Sequence, residues 1–109
     1  MPRHEFGIMQ SNPINGIRFD NYEPEKYNCI SIDDDYIEPL LGELLNIDFY
    51  WHTLDLPNKG LAYWGITLIP PRSFDLIMDL IIPIKELSPL YELLLSAKVN
   101  NKYVIHFGI

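Results

Sequence analysis

The chain has one cysteine among 109 residues, eight basic residues against fifteen acidic ones, and six glycines. A lone thiol excludes an internal disulfide and any zinc centre built on several thiolates. Cys29 stands in the run Tyr27-Asn28-Cys29-Ile30-Ser31-Ile32, a setting for a buried structural thiol, and no local signature supplies the base a nucleophile needs. The glycines make neither a GxGxxG turn nor a Walker loop, so dinucleotide binding has no cradle. Basic residues are too few to neutralise a phosphate backbone, which argues against nucleic acid. The longest apolar stretch, Leu76 to Ile84, is interrupted by Asp79 and Pro83 and falls far short of the roughly 18 residues of a membrane span. No basic segment leading into an apolar core opens the sequence. These absences together predict a cytosolic protein that engages neither membrane nor nucleic acid and carries no cofactor.

What is present suits one globular domain. Apolar residues make 48% of the chain and charged residues 21%, and a chain of this length can bury a core without covalent staples. The net charge of −7 is uneven: residues 1–55 carry −8 and residues 56–109 carry +1. An acidic half favours encounter with a basic protein, although solubility alone also accounts for such a charge.

Residues 1–26 are divided by Pro13, Gly16 and Pro24 and read as an N-terminal arm, leaving 27–109 as a single α+β domain. Tyr27–Ile32 suits a buried strand. Asp33-Asp34-Asp35 ends it and caps a helix, with Ile37, Leu40, Leu41, Leu44 and Leu45 on one face and Pro39 fixing the start. Phe49–Asp55 and Leu61–Ile69 form an aromatic hairpin about the turn Leu56-Pro57-Asn58-Lys59-Gly60. Phe74, Ile77, Met78 and Ile81 mark a second helix with Ser73 as its candidate cap. Pro83 ends that helix, Ser88-Pro89 restarts one, and Lys102–Phe107 is a last strand. The order β-α-β-β-α(α)-β predicts the ferredoxin-like split arrangement, a four-stranded antiparallel sheet with helices on one face. His4-Glu5-Phe6-Gly7-Ile8 is echoed by His106-Phe107-Gly108-Ile109. The echo carries no weight at this level, and both segments suit edge strands.

Chemistry-bearing patterns are sparse. The aspartate triplet lacks calcium-loop spacing and is explained by helix capping. His4, His52 and His106 lie far apart, and the ferredoxin-like order puts the last two on strands at opposite ends of the sheet. No catalytic, metal or cofactor residue is therefore assigned. The aromatics say more. Phe49, Tyr50, Trp51, Tyr63 and Trp64 put large apolar groups on both faces of the hairpin, and helices cover only one. The second face needs a cover, which the arm, a second copy of the chain or a ligand could supply; self-association as a homodimer is the leading expectation. The candidate interaction surface is Phe49, Trp51, Tyr63 and Trp64 with His52 and His106.

The segments Ile30-Ser31-Ile32-Asp33-Asp34-Asp35, Gly60 to Pro71 and Ile105-His106-Phe107-Gly108-Ile109 resemble short bacterial proteins of unassigned function, a likeness that brings no activity with it. In size and acidity alone the chain is similar to immunity proteins that neutralise toxins. The sequence favours a non-enzymatic interaction or regulatory protein. The alternative is a small-molecule-binding or catalytic domain with an aromatic pocket near residues 49–69.

Overall fold

A computed structural model describes residues 2–109. Its centre is one sheet built from β1 (Arg3–Ile8), β2 (Ile30–Asp33), β3 (Asp48–Trp51), β4 (Pro57–Lys59), β5 (Ile66–Ile69) and β6 (Val104–Phe107). The strands lie in the order β2-β1-β6-β5-β3-β4, and every neighbouring pair is antiparallel.

The four-stranded ferredoxin-like sheet expected from sequence is thus replaced by a six-stranded one, for three physical reasons. Residues 3–8 form an interior strand between β2 and β6, so both echoed segments lie inside the sheet and pair with each other, Phe6 opposite His106 and Glu5 opposite Phe107. The expected turn at 56–60 instead holds edge strand β4, where Pro57 opposite Tyr50 is tolerated because an outer strand has no further ladder to feed. The third reason is the break at Pro83. One helix after β5 would return the chain parallel to it, but two helices bring it back to the end it left, so β6 joins β5 antiparallel.

Those two helices are α3 (Phe74–Ile81) and α4 (Ser88–Val99), preceded in the chain by the short α1 (Asp34–Ile37) and α2 (Leu41–Leu44). A 3-10 turn at Glu38–Leu40 separates α1 from α2, where Pro39 lacks the N–H that would continue an α-helical ladder. Asp33 caps α1, its side chain accepting from the Asp35 N–H at 2.9 Å. Ser73 does not cap α3; its hydroxyl donates to the Asp48 carbonyl at 2.6 Å and ties the helix start to β3. In α4 the proline is in the first turn, and Leu90, Leu94 and Ala97 are buried.

The helices close one face of the sheet. Phe6, Ile32, Phe49, Ile69 and Val104 from the strands pack with Phe74, Ile77, Met78, Ile81, Leu90 and Leu94 into the main core. The other face holds a smaller core of Met9, Ile66, Leu68, Ile105 and Phe107. Its cover comes from the chain itself: Phe19, Tyr27 and Cys29 of the stretch between β1 and β2 pack onto it. This strap is fastened by the Phe19 N–H to the His52 carbonyl at 2.7 Å and by a bridge between Arg18 and Thr53. Cys29, half-buried at the end of the strap, has its thiol pushed up to about 12, first by burial and then by the Glu5 charge, which suits a structural thiol.

Candidate functional site

At the end of the sheet nearest α1, four polar side chains form a continuous hydrogen-bonded row on the helix-covered side. His4 Nε2 meets Asp34 Oδ1 at 2.7 Å, His4 Nδ1 meets His106 Nε2 at 2.9 Å, and His106 Nδ1 meets Thr67 Oγ1 at 3.2 Å. Thr67 Oγ1 also accepts the Ala62 N–H at 2.9 Å, and the Tyr63 hydroxyl donates to Asp34 Oδ2 at 2.6 Å. His4, His106 and Thr67 are fully buried. One set of proton positions satisfies every group. The Thr67 hydroxyl donates to His106 Nδ1, His106 Nε2–H donates to His4 Nδ1, and His4 Nε2–H donates to an ionised Asp34.

The electrostatics agree with that arrangement. Burial, then the proximity of His4, holds the His106 imidazole well below its usual value. The Tyr63 hydrogen bond first, and His4 beside it, keeps the Asp34 carboxyl low, and the same bond pushes the Tyr63 hydroxyl up to about 12. With every ring nitrogen engaged and both rings sealed from solvent, neither imidazole is presented to a substrate. It works as a fastener joining β1, β5, β6, the start of α1 and the loop at 61–65. That loop lies close on the chain's last residues: the Ile109 N–H reaches the Tyr63 carbonyl at 3.0 Å, and any side chain at Gly108 would collide with that carbonyl.

What the loop holds out is Trp64. It is 80% exposed, and among the described residues its aromatic partner is Tyr63, nearly perpendicular to it with ring centres 5.1 Å apart. It stands on the wall of an open cleft of about 920 Å³ whose other walls include Tyr22, Glu5, Asp20, Arg3 and His52. Tyr22 is also well exposed, and its hydroxyl donates to Glu5. Asp20 pairs with Arg18 at 2.7 Å and with His52 Nδ1 at 3.0 Å. Arg3 is engaged by its own neighbours, with Nε on the Ser31 hydroxyl at 2.5 Å and Nη1 3.6 Å from Asp33.

His52 sits at φ +64, a left-handed conformation costly for a residue with a Cβ. The strain is held by a bond at each ring nitrogen, Nδ1 to the Phe19 carbonyl at 2.9 Å and Nε2 from the Ile66 N–H at 3.5 Å. This histidine therefore pins the strap to the sheet.

The six residues singled out from sequence are dispersed. Phe49 is buried in the main core, and Trp51 is half-buried with its indole N–H on the Gly60 carbonyl at 2.8 Å. His106 and Tyr63 belong to the buried row, while Trp64 and His52 line the cleft. Sequence reasoning passed over His4, Asp34 and Thr67 in the row and Tyr22, Glu5 and Asp20 in the cleft. No signal in the sequence spacing gives the first: His4 and His106 meet because the register sets His106 opposite Phe6, two residues along the same face from His4. Among the described residues, no three His, Cys, Asp or Glu side chains converge to hold a metal ion. The chain matches no protein-family model, no curated protein and no solved structure.

Proposed function

We propose that this chain is a non-catalytic binding protein that recognises a basic polypeptide through the Trp64 cleft. The observation carrying the reading is an indole left 80% exposed on a firmly fastened loop, at a cleft that also presents Tyr22, Glu5 and Asp20. Aromatic faces attract guanidinium and ammonium groups, and tryptophan does so most strongly. The carboxylates beside them supply charge: each has one or two partners, and a carboxylate accepts up to about four hydrogen bonds. The net charge of −7 attracts a cationic partner at long range, and Glu5 and Asp20 present part of that charge at the cleft. A pre-formed surface with a central aromatic anchor is the usual composition of a binding hot spot. A basic toxin is a partner of this chemistry, in line with the likeness in size and acidity to immunity proteins.

The test is calorimetric titration with an arginine-rich peptide of about ten residues, alongside a glutamate-rich peptide of equal length. Binding is expected for the first alone. Trp64→Ala should weaken it by at least about fivefold, the least expected of a hot-spot truncation. Glu5→Gln should weaken it further than Glu92→Gln on the solvent side of α4. Equal affinity in Trp64→Ala and the parent chain, or equal loss from Glu5→Gln and Glu92→Gln, would reject the cleft as the site.

A further inference from the structure

The buried histidine pair plays no part in that recognition chemistry, yet it lies directly beneath the loop that presents Trp64. The Tyr63 ring is centred 5.3 Å from His4, and the two histidine rings are stacked with centres 5.1 Å apart. We infer that His4 and His106 form an acid-operated latch on the loop at 61–65, closed while each imidazole carries one proton and released when the pair takes up more. The latch is a property of the free chain; only its consequence, withdrawal of Trp64 from the cleft, rests on the binding proposed above.

The geometry dictates the response to a proton. A proton added at His4 Nδ1 meets the Nε2–H of His106, so His106 must move its own proton to Nδ1. Thr67 then turns its hydroxyl hydrogen away from His106, and that hydrogen has no acceptor among its partners. A second added proton sets N–H against N–H between two cations in a fully buried site, the costliest arrangement available there. Tyr63, packed against His4 and bonded to Asp34, is the loop residue whose lifting would open this end of the row to water.

The surrounding charges compensate only at His4, whose Nε2 lies 2.7 Å from the Asp34 carboxylate; His106 touches only His4 and Thr67. Asp34, at the start of α1, is the one carboxylate touching the pair, and it is already ionised by its bonds to Tyr63 and His4. Glu38 acts on Tyr63, and the charge bearing on His106 is that of His4. β5 and β6 contribute no other charged side chain. Arg3 and Glu5 of β1 alternate to the opposite side of the sheet, and Glu92 and Lys98 of α4 face solvent.

The sign follows from His106. Its folded-state value lies below 6.5, so an opened state binds the proton first; the latch is at full strength above about pH 6.5 and weakens as pH falls. Each proton taken up on opening changes the closed-to-open ratio by about tenfold per pH unit.

Amide hydrogen exchange by NMR on the full chain, without any peptide, tests this. Between about pH 6.5 and 5.5, protection at Ala62, Gly65 and Ile109, corrected for intrinsic exchange, should fall about tenfold while Leu68 and Ile105 hold theirs. His106→Gln, or His4→Gln should that variant not fold, should flatten the profile. Constant protection at Ala62 across the range, or loss in step with Leu68 and Ile105, would overturn the latch. Since no partner is present, that outcome is separate from the fate of the peptide titration.

Discussion

The two faces of the sheet are closed by different materials. One is covered by α3 and α4, whose Phe74, Leu94 and Ala97 are sealed completely among strand residues. The other is covered by a strap in which Phe19, Tyr27 and Cys29 are only half-buried and most residues between Gln10 and Asn28 are exposed. The helical cover is held by apolar burial. The strap is held largely by hydrogen bonds at intervals, such as Asp55 accepting from Asn15 at 2.9 Å and from the Gly16 N–H at 2.9 Å. Cooperative stability therefore resides on the helix side, and the strap side is where local opening is cheapest.

The strongest way to break this contrast is to empty the helix side. Phe74→Ala leaves a cavity at a fully buried site and should cost about 3–5 kcal/mol in urea unfolding. A loss below about 1 kcal/mol would mean the helices do not carry the core. On the strap side, a Cβ at Gly7 would sit 2.7 Å from Cys29 Sγ and from the Tyr27 backbone carbonyl, so Gly7→Val pushes the strap away. About 1–3 kcal/mol of overpacking cost is expected. Its distinguishing mark is faster reaction of Cys29 with a thiol reagent, because the strap opens while the helical core stays folded. Unchanged Cys29 reactivity would show that the strap moves only with the whole protein.

The same contrast explains what the sequence could convey. Helix α3 announces itself, because Phe74, Ile77, Met78 and Ile81 recur at helical spacing and each is buried. The need for a cover on the second face was legible too, from hairpin strands apolar on both sides, but the identity of the cover was not. A strap has no period, and its anchors Phe19 and Tyr27 look like any loop aromatics. The interior place of strand β1 was hidden by its distance in sequence from its partner β6, about a hundred residues away. Strand β4 was hidden by turn chemistry, since Pro57-Asn58-Lys59 has the composition of a loop and is extended only because β3 pairs with it. The histidine row shares the fate of β1: no spacing rule joins His4 to His106 until the sheet order is known.

A smaller effect sharpens the comparison within the helix-covered side, between its apolar centre and its polar end. Thr67→Val keeps the shape of the side chain but strips the acceptor from the Ala62 N–H and the donor from His106. The cost should be about 1–2 kcal/mol, that of unpaired buried polar groups, well under the loss at Phe74. In the same variant the carbon and nitrogen shifts of the His106 ring should report a changed tautomer. A full-sized loss without any change at His106 would mean that the row is held by packing rather than by its hydrogen bonds.

The smallest effect on stability belongs to the residue with the largest expected effect on binding. Trp64 is 80% exposed, so Trp64→Ala should leave unfolding free energy within about 0.5 kcal/mol. A folded protein gains little by itself from holding a large indole in water, and here a buried row of hydrogen bonds fixes the loop on which that indole stands. If Trp64→Ala proved strongly destabilising, the side chain would be part of the core's closure, and its exposure would no longer argue for a partner. If stability is untouched while affinity for the basic peptide falls, folding and recognition are separable in this molecule, with the fastener beneath the loop and the anchor on top of it.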